Sequence, residues 1–270
     1  MKKNFALLLA LTISSHYALT QGFDPAGGRS AGMGHTAILL DDAWGIFNNP
    51  GSLYAATSTF AGAYGLRYFQ AAINDVRIGY AMPLGNWQTG AGVAFFGDEL
   101  FNHLKVSAVA GQRVGFARLA LRGNYEQFYI KDYGYRQAVT LDIGGLFTLS
   151  PQISLAMVFH NLTRAGISPA SELRLRSFLQ AGCSWQPTKH FRLDVQLDKD
   201  LELPAQFRTG LEYGVSKAIS LRTGISPTAS EGSLGVGISG RGFQLDLAGL
   251  YSQRLGYSGV ISLLLAKPEK

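Results

Sequence analysis

The side chains able to do chemistry near neutral pH are few and scattered in this sequence. Five histidines stand far apart, at His16, His35, His103, His160 and His190, and none has the spacing of a metal-ligand pair. His160 shares a face with Ser154 if the chain is extended, but so does every residue an even number of positions away. No catalytic residue, metal or cofactor is therefore expected. Cys183 is the single cysteine, which excludes an intrachain disulfide. The glycine run from Gly27 to Gly34 has the density of a phosphate loop, but lacks the Lys-Ser/Thr ending and a preceding strand. What remains in number is charge: 24 Lys and Arg against 18 Asp and Glu, net +6. These charges lie singly rather than in a basic run, so no nucleic-acid partner is expected.

The charges fall at every second position of alternating segments. Phe191, Leu193, Val195 and Leu197 alternate with Arg192, Asp194, Gln196 and Asp198. Farther on, Phe207, Leu211 and Tyr213 alternate with Arg208, Gly210 and Glu212, and Phe243, Leu245 and Leu247 with Gln244, Asp246 and Ala248. Successive side chains of a strand point to opposite faces, so period two means two different solvents. Five such segments fill 203–266 and nine more fill 57–200. No stretch offers the roughly 18 unbroken apolar residues of a membrane helix. The fold expected is all-β: a transmembrane antiparallel barrel of about 14 strands, an even number as a closed single-chain barrel requires. A soluble β-sandwich is set aside by the number and length of the alternating segments. Cys183 alternates with Leu179, Ala181 and Trp185 and is placed on the lipid face.

Register follows from energy. A one-residue slip would turn Arg192, Asp194 and Asp198 toward lipid, and a basic residue at the midplane costs about 2–4 kcal/mol. The inward set then holds Arg67, Arg77, Lys105, Arg118, Arg122, Arg174, Arg176, Arg192, Arg208 and Arg222, against Glu126, Asp142, Asp194, Glu212 and Asp246. Arginine favours bidentate contacts with carboxylates or phosphates. Two roles fit: an anion-selective lining, or a structural network tying wall to wall and wall to plug. The structural role is preferred, because a buried charge needs a partner whatever the protein does.

Residues 21–56 are not strand-like. They run through the glycine-rich stretch, then Asp41-Asp42-Ala43-Trp44-Gly45-Ile46-Phe47, then Asn48-Asn49-Pro50-Gly51. Asp41 or Asp42 is placed to cap a short helix toward Trp44 and Phe47, ended by a turn at Asn49-Pro50-Gly51. Backbone this irregular cannot face lipid, so the segment is expected as a plug inside the barrel, with Asp41 and Asp42 as extra acidic partners. Met1-Lys2-Lys3 and the apolar run from Phe5 to Ile13 read as a signal peptide, 1–20, cleaved after Ala18 or Thr20. The barrel is expected over 57–266 and a short tail over 267–270. About 15 residues per strand leave only short connections once a membrane strand has used about 9–11.

Taken together, these residues resemble the FadL-like superfamily and, within it, the PorV/PorQ-like barrels of the Bacteroidota. The similarity lies in Gly28-Arg29-Ser30-Ala31-Gly32-Met33-Gly34, Asp41-Asp42-Ala43-Trp44 and Asn48-Asn49-Pro50-Gly51-Ser52-Leu53. It extends to His160-Asn161-Leu162, Gly210-Leu211-Glu212-Tyr213, Leu221-Arg222-Thr223-Gly224 and Leu234-Gly235-Val236-Gly237. The resemblance implies a 14-stranded barrel with a plug, in the outer membrane of a Gram-negative bacterium. Three departures stand out: Asn49-Pro50-Gly51 replaces the usual Asn-Pro-Ala, the loops are too short for an external fatty-acid groove, and no aromatic residue ends the chain. The function implied divides in two. One is a non-enzymatic accessory partner in type IX-like secretion or surface assembly, bound to a larger barrel and to outer-membrane lipid. The alternative is a transporter of long-chain fatty acids or other small hydrophobic molecules, with an apolar pocket near Trp44, Phe47 and Leu53.

Overall fold

The protein is seen as a computed structural model that describes residues 25–68, 73–166, 174–200 and 203–268. The expected signal peptide, 1–20, lies outside the described residues. Fourteen strands form: β1 Thr59–Leu66, β2 Asn74–Leu84, β3 Trp87–Gly97, β4 Phe101–Val114, β5 Ala117–Ile130, β6 Gly134–Thr148 and β7 Ile153–His160. They continue as β8 Phe178–Thr188, β9 Phe191–Asp200, β10 Gln206–Gly214, β11 Ile219–Ser226, β12 Glu231–Gly240, β13 Phe243–Ser252 and β14 Gly256–Ala266. Each pairs antiparallel with its sequence neighbours, and β1 pairs with β14 from Thr59↔Ala266 to Leu66↔Gly259, closing the barrel. Closure leaves no sheet edge along the circuit, which is what lets strands cross hydrocarbon.

The alternation in the sequence becomes the two faces of the wall. Leu221, Leu234, Val236, Leu247 and Ile261 are exposed on the outside. Arg122, Asp194, Gln196 and Asp246 are 0% exposed on the inside. Turn chemistry sets the two ends. At the end holding Thr59 and Ala266, two-residue turns join β2 to β3, β4 to β5 and β12 to β13. Each carries a glycine at positive φ: Gly85 at 60°, Gly115 at 61° and Gly242 at 78°. At the opposite end the longest connection runs from β7 to β8.

Two boundaries differ from the sequence reading. Arg174 and Leu175 were expected in the eighth strand, yet β8 begins only at Phe178. Asn161 adopts a left-handed φ of 51°, its amide donates to the Leu175 carbonyl at 2.9 Å, and the Ser177 hydroxyl donates to the Asn161 carbonyl at 2.9 Å. These bonds fold the connection inward. Leu175 is buried against Phe128 and Ala138, and Arg174 is exposed on an isolated bridge to Gly166, not in the lumen. The β8–β9 pairing also shifts between Trp185 and Thr188, where Pro187 has no N–H to give the ladder.

The segment 25–56 lies inside the barrel as a plug. A one-turn helix, α1 (Gly28–Gly32), packs on β11 to β14. The 3-10 turn Ala43–Ile46 packs on β1 to β4, and a second, Pro50–Ser52, on β4 to β7. The plug therefore touches nearly the whole inner circumference. Asp42 caps the first turn by accepting the Trp44 N–H at 2.9 Å. Asn49-Pro50-Gly51 is not a plain terminating turn: Asn49 accepts the Gly51 N–H at 2.9 Å and starts the second 3-10 turn. Trp44, Ile46 and Leu53 make the main apolar core with inward alanines of the wall, Ala61, Ala81 and Ala120. Small wall residues leave the volume that the plug fills.

Candidate functional site

The inward charges assemble from adjacent strands, two positions along or directly across. Arg122 on β5 stands opposite Asp142 on β6 and pairs with it at 2.7 Å. Arg192 pairs with Asp194 on the same face of β9 at 2.9 Å. Arg208 on β10 lies 3.1 Å from Asp198 on β9. Arg222 on β11 bridges Glu212 on β10 and Asp246 on β13, reaching Asp246 at 2.7 Å. Arg176 meets Asp200 at 2.8 Å, and Glu126 receives His103 at 3.0 Å and Lys105 at 3.6 Å. Of the fifteen inward charges read from the sequence, fourteen stand in an ion pair with another wall residue or with the plug, and Arg174 lies outside the lumen.

Several of these groups grip the plug. Arg122 donates through Nη1 to the carbonyls of Ile46 at 3.1 Å and Asn48 at 3.3 Å. Arg192 donates to the Leu39 carbonyl at 2.6 Å. Arg29 of α1 forks onto Glu212 at 2.8 and 2.7 Å, and Arg118 reaches Asp41 at 3.2 Å. Asn48 exchanges two hydrogen bonds with the Ala26 backbone, and Asn49 donates to the carbonyls of Ile38 and Gly145. Pro50 sits against Gly144, where a side chain on the wall would collide with it. Asp42 is 3.8 Å from Arg29, too far for a hydrogen bond. Burial pushes its carboxyl up to about 6, against the pull of Arg29 and the Trp44 amide.

Of the residues Trp44, Phe47 and Leu53, which the transporter alternative placed beside an apolar pocket, Phe47 lines a cavity. Trp44 is 1% and Leu53 2% exposed, packed solid between plug and wall. Open space is found in a chamber of about 200 Å³ between plug and wall, reaching from β2 round to β10, with Pro25 among its lining residues. Its floor is plug: Ile38, Phe47 and Asn48. Its walls carry Lys105, Arg122, Glu126, Asp142, His160 and Gln180, and its far side Leu175, Arg176, Phe178, Asp198 and Arg208. His103 stacks on Phe128 at 4.0 Å and His160 on Phe178 at 4.2 Å. His160 Nε2 also donates to the Gln180 side-chain oxygen at 2.9 Å, within the chamber. The sequence reading left out Asp200, Phe178 and Asn161 as chamber residues. Asp200 continues the even-numbered face of β9 and was legible; Asn161 and Leu175 depend on a connection with no period to read.

No family model matches the sequence, and no curated protein matches it at a significant level. Solved structures do. The toluene transporter TodX of Pseudomonas putida superposes with a TM-score of 0.65 at 11% identity, covering 90% of this chain and 97% of that one. The monoaromatic hydrocarbon channel CymD gives 0.65 at 12% identity, covering 90% and 98%. A FadL homologue of Pseudomonas aeruginosa gives 0.58 at 10% identity, covering 88% and 97%. The structural neighbours of this chain are outer-membrane barrels of the FadL family, and its fold is theirs.

Proposed function

We propose that this protein is an outer-membrane passage for small molecules, built on the FadL plan and exported by its N-terminal signal. The observation that carries the reading is the chamber: a cavity inside the barrel, closed on one side by the plug and lined from wall and plug together. A purely structural barrel has no need of an internal cavity with convergent polar groups, whereas a passage needs a station where solute waits for the plug to yield. Likeness to TodX, CymD and the FadL homologue supports transport over the accessory secretion role that the sequence also suggested. No catalytic step is assigned.

Extraction from native outer membranes in mild detergent, followed by mass spectrometry of proteins and small molecules together, tests this reading. The expected result is the barrel alone with a small ligand in substoichiometric to equal amount. A stoichiometric larger barrel or secretion component, and no ligand, would instead make the chain an accessory subunit.

A further inference from the structure

We propose that the chamber takes a small, water-soluble organic anion, a carboxylate on a short apolar or aromatic body, rather than a hydrocarbon or a long-chain acid. The inference deepens the transport reading and rests on it for its biological meaning, but the binding it asserts can be measured separately.

The argument is a count of donors and acceptors. Among the described residues the carboxylates facing the chamber are engaged, Asp200 by Arg176 at 2.8 Å. Asp142 accepts from Arg122, Asn124 and the Asn161 N–H. Glu126 is met by His103, Thr140 and Lys105. Asp198 accepts from Gln180 and Gln196. The cations are not used up. Lys105 Nζ has only the 3.6 Å contact with Glu126. Arg176 lines the chamber, spends Nε on Asp200 and lays its guanidinium over the Phe178 ring at 5.7 Å, and its terminal nitrogens make no hydrogen bond among the described residues. Arg208 gives Nη2 to Gln206 at 3.3 Å, and its buried Nε, though near Asp198, makes no hydrogen bond. Lys105, Arg176 and Arg208 come from three separate parts of the wall and all line the same space.

Unspent donors on fixed cations are complementary to an oxyanion. A hydrocarbon would strip them of water and return nothing. Phe47, Phe178, Leu175 and Ile38 supply faces for a short apolar body in a chamber of about 200 Å³.

Calorimetric titration of the purified barrel with benzoate, benzyl alcohol and toluene tests the class. Benzoate is expected to bind at least tenfold more tightly than the other two. The variants Arg176→Gln and Arg208→Gln are expected to weaken benzoate tenfold or more and leave benzyl alcohol unchanged; Arg176→Lys is expected to restore part of the loss. Heat-modifiable migration on gels confirms that each variant barrel is folded. Toluene or benzyl alcohol binding as tightly as benzoate, no binding of any of the three, or equal losses for benzoate and benzyl alcohol would each overturn the proposal. Benzoate bound by the barrel but not passed across a vesicle membrane would leave the anion site standing and overturn the transport reading instead.

Discussion

Arg122 shows how one side chain serves wall and plug at once. It is 0% exposed, pairs with Asp142 and holds two plug carbonyls. Replacing it with methionine removes the charge but leaves Asp142 buried with the amides of Asn124 and Asn161 and with His160 at 3.6 Å. Breaking one half of a buried pair costs about 3–5 kcal/mol. Arg122→Met is therefore expected to lower the free energy of unfolding by about that much, read from urea titrations in detergent, with Asp142→Asn added to recover part of it. Asp42 gives a second residue-scale outcome. Its carboxyl is pushed up to about 6 from an ordinary 3.8. Between those values the folded protein keeps a proton that the unfolded chain has released, so stability falls as pH rises through the window. Asp42→Asn is expected to flatten that fall; an unchanged pH profile in the variant would place its cause elsewhere.

At the scale of elements, the plug is seated by close approach of backbones. Gly224 on β11 faces Gly34, and a side chain there would overlap the Met33–Gly34 peptide. Gly224→Val is expected to unseat the plug, raising single-channel conductance and opening 25–56 to added protease. Gly249, on the outer face with nothing within 4 Å of a built side chain, is the control: Gly249→Val should change neither. Much of this scale was legible beforehand. Alternation fixed the inward set of β9 and β10 because burial of Arg192 or Asp194 in lipid is so unfavourable that only one register survives. The plug was legible from the incompatibility of its Gly, Asn and Asp content with lipid. The connection between β7 and β8 was not, because the bonds of Asn161 and Ser177 that turn it inward are local side-chain events without periodicity. Nor was the chamber, since a void is what packing leaves over. Trp44 and Leu53, for which the sequence favoured plain packing over a pocket lining, are the plug's own core, while Phe47, one turn away, faces the cavity.

For the molecule as a whole, the transport proposal divides the lumen into two parts: the chamber, which would receive solute, and the part that the plug fills. Ion pairs of Arg29 with Glu212 and of Arg118 with Asp41, and hydrogen bonds from Arg122 and Arg192 to plug carbonyls, hold the plug seated. Those contacts are partly or wholly desolvated, so salt should screen them weakly compared with exposed pairs. Conductance of the resting barrel is accordingly expected to be low at both low and high ionic strength; a large ohmic pore at either would contradict a seated plug.

The most direct measurement is flux into vesicles reconstituted with the purified protein, comparing wild type with a form whose plug is tethered to the wall by a disulfide between Ala31→Cys and Ala248→Cys, residues of plug and wall that share one apolar cluster. The account expects saturable entry of a small solute through the wild type, loss of entry on oxidation of the tethered form, and recovery on reduction. Entry unaffected by the tether, or no entry of any small solute through the wild type, would contradict a plugged passage.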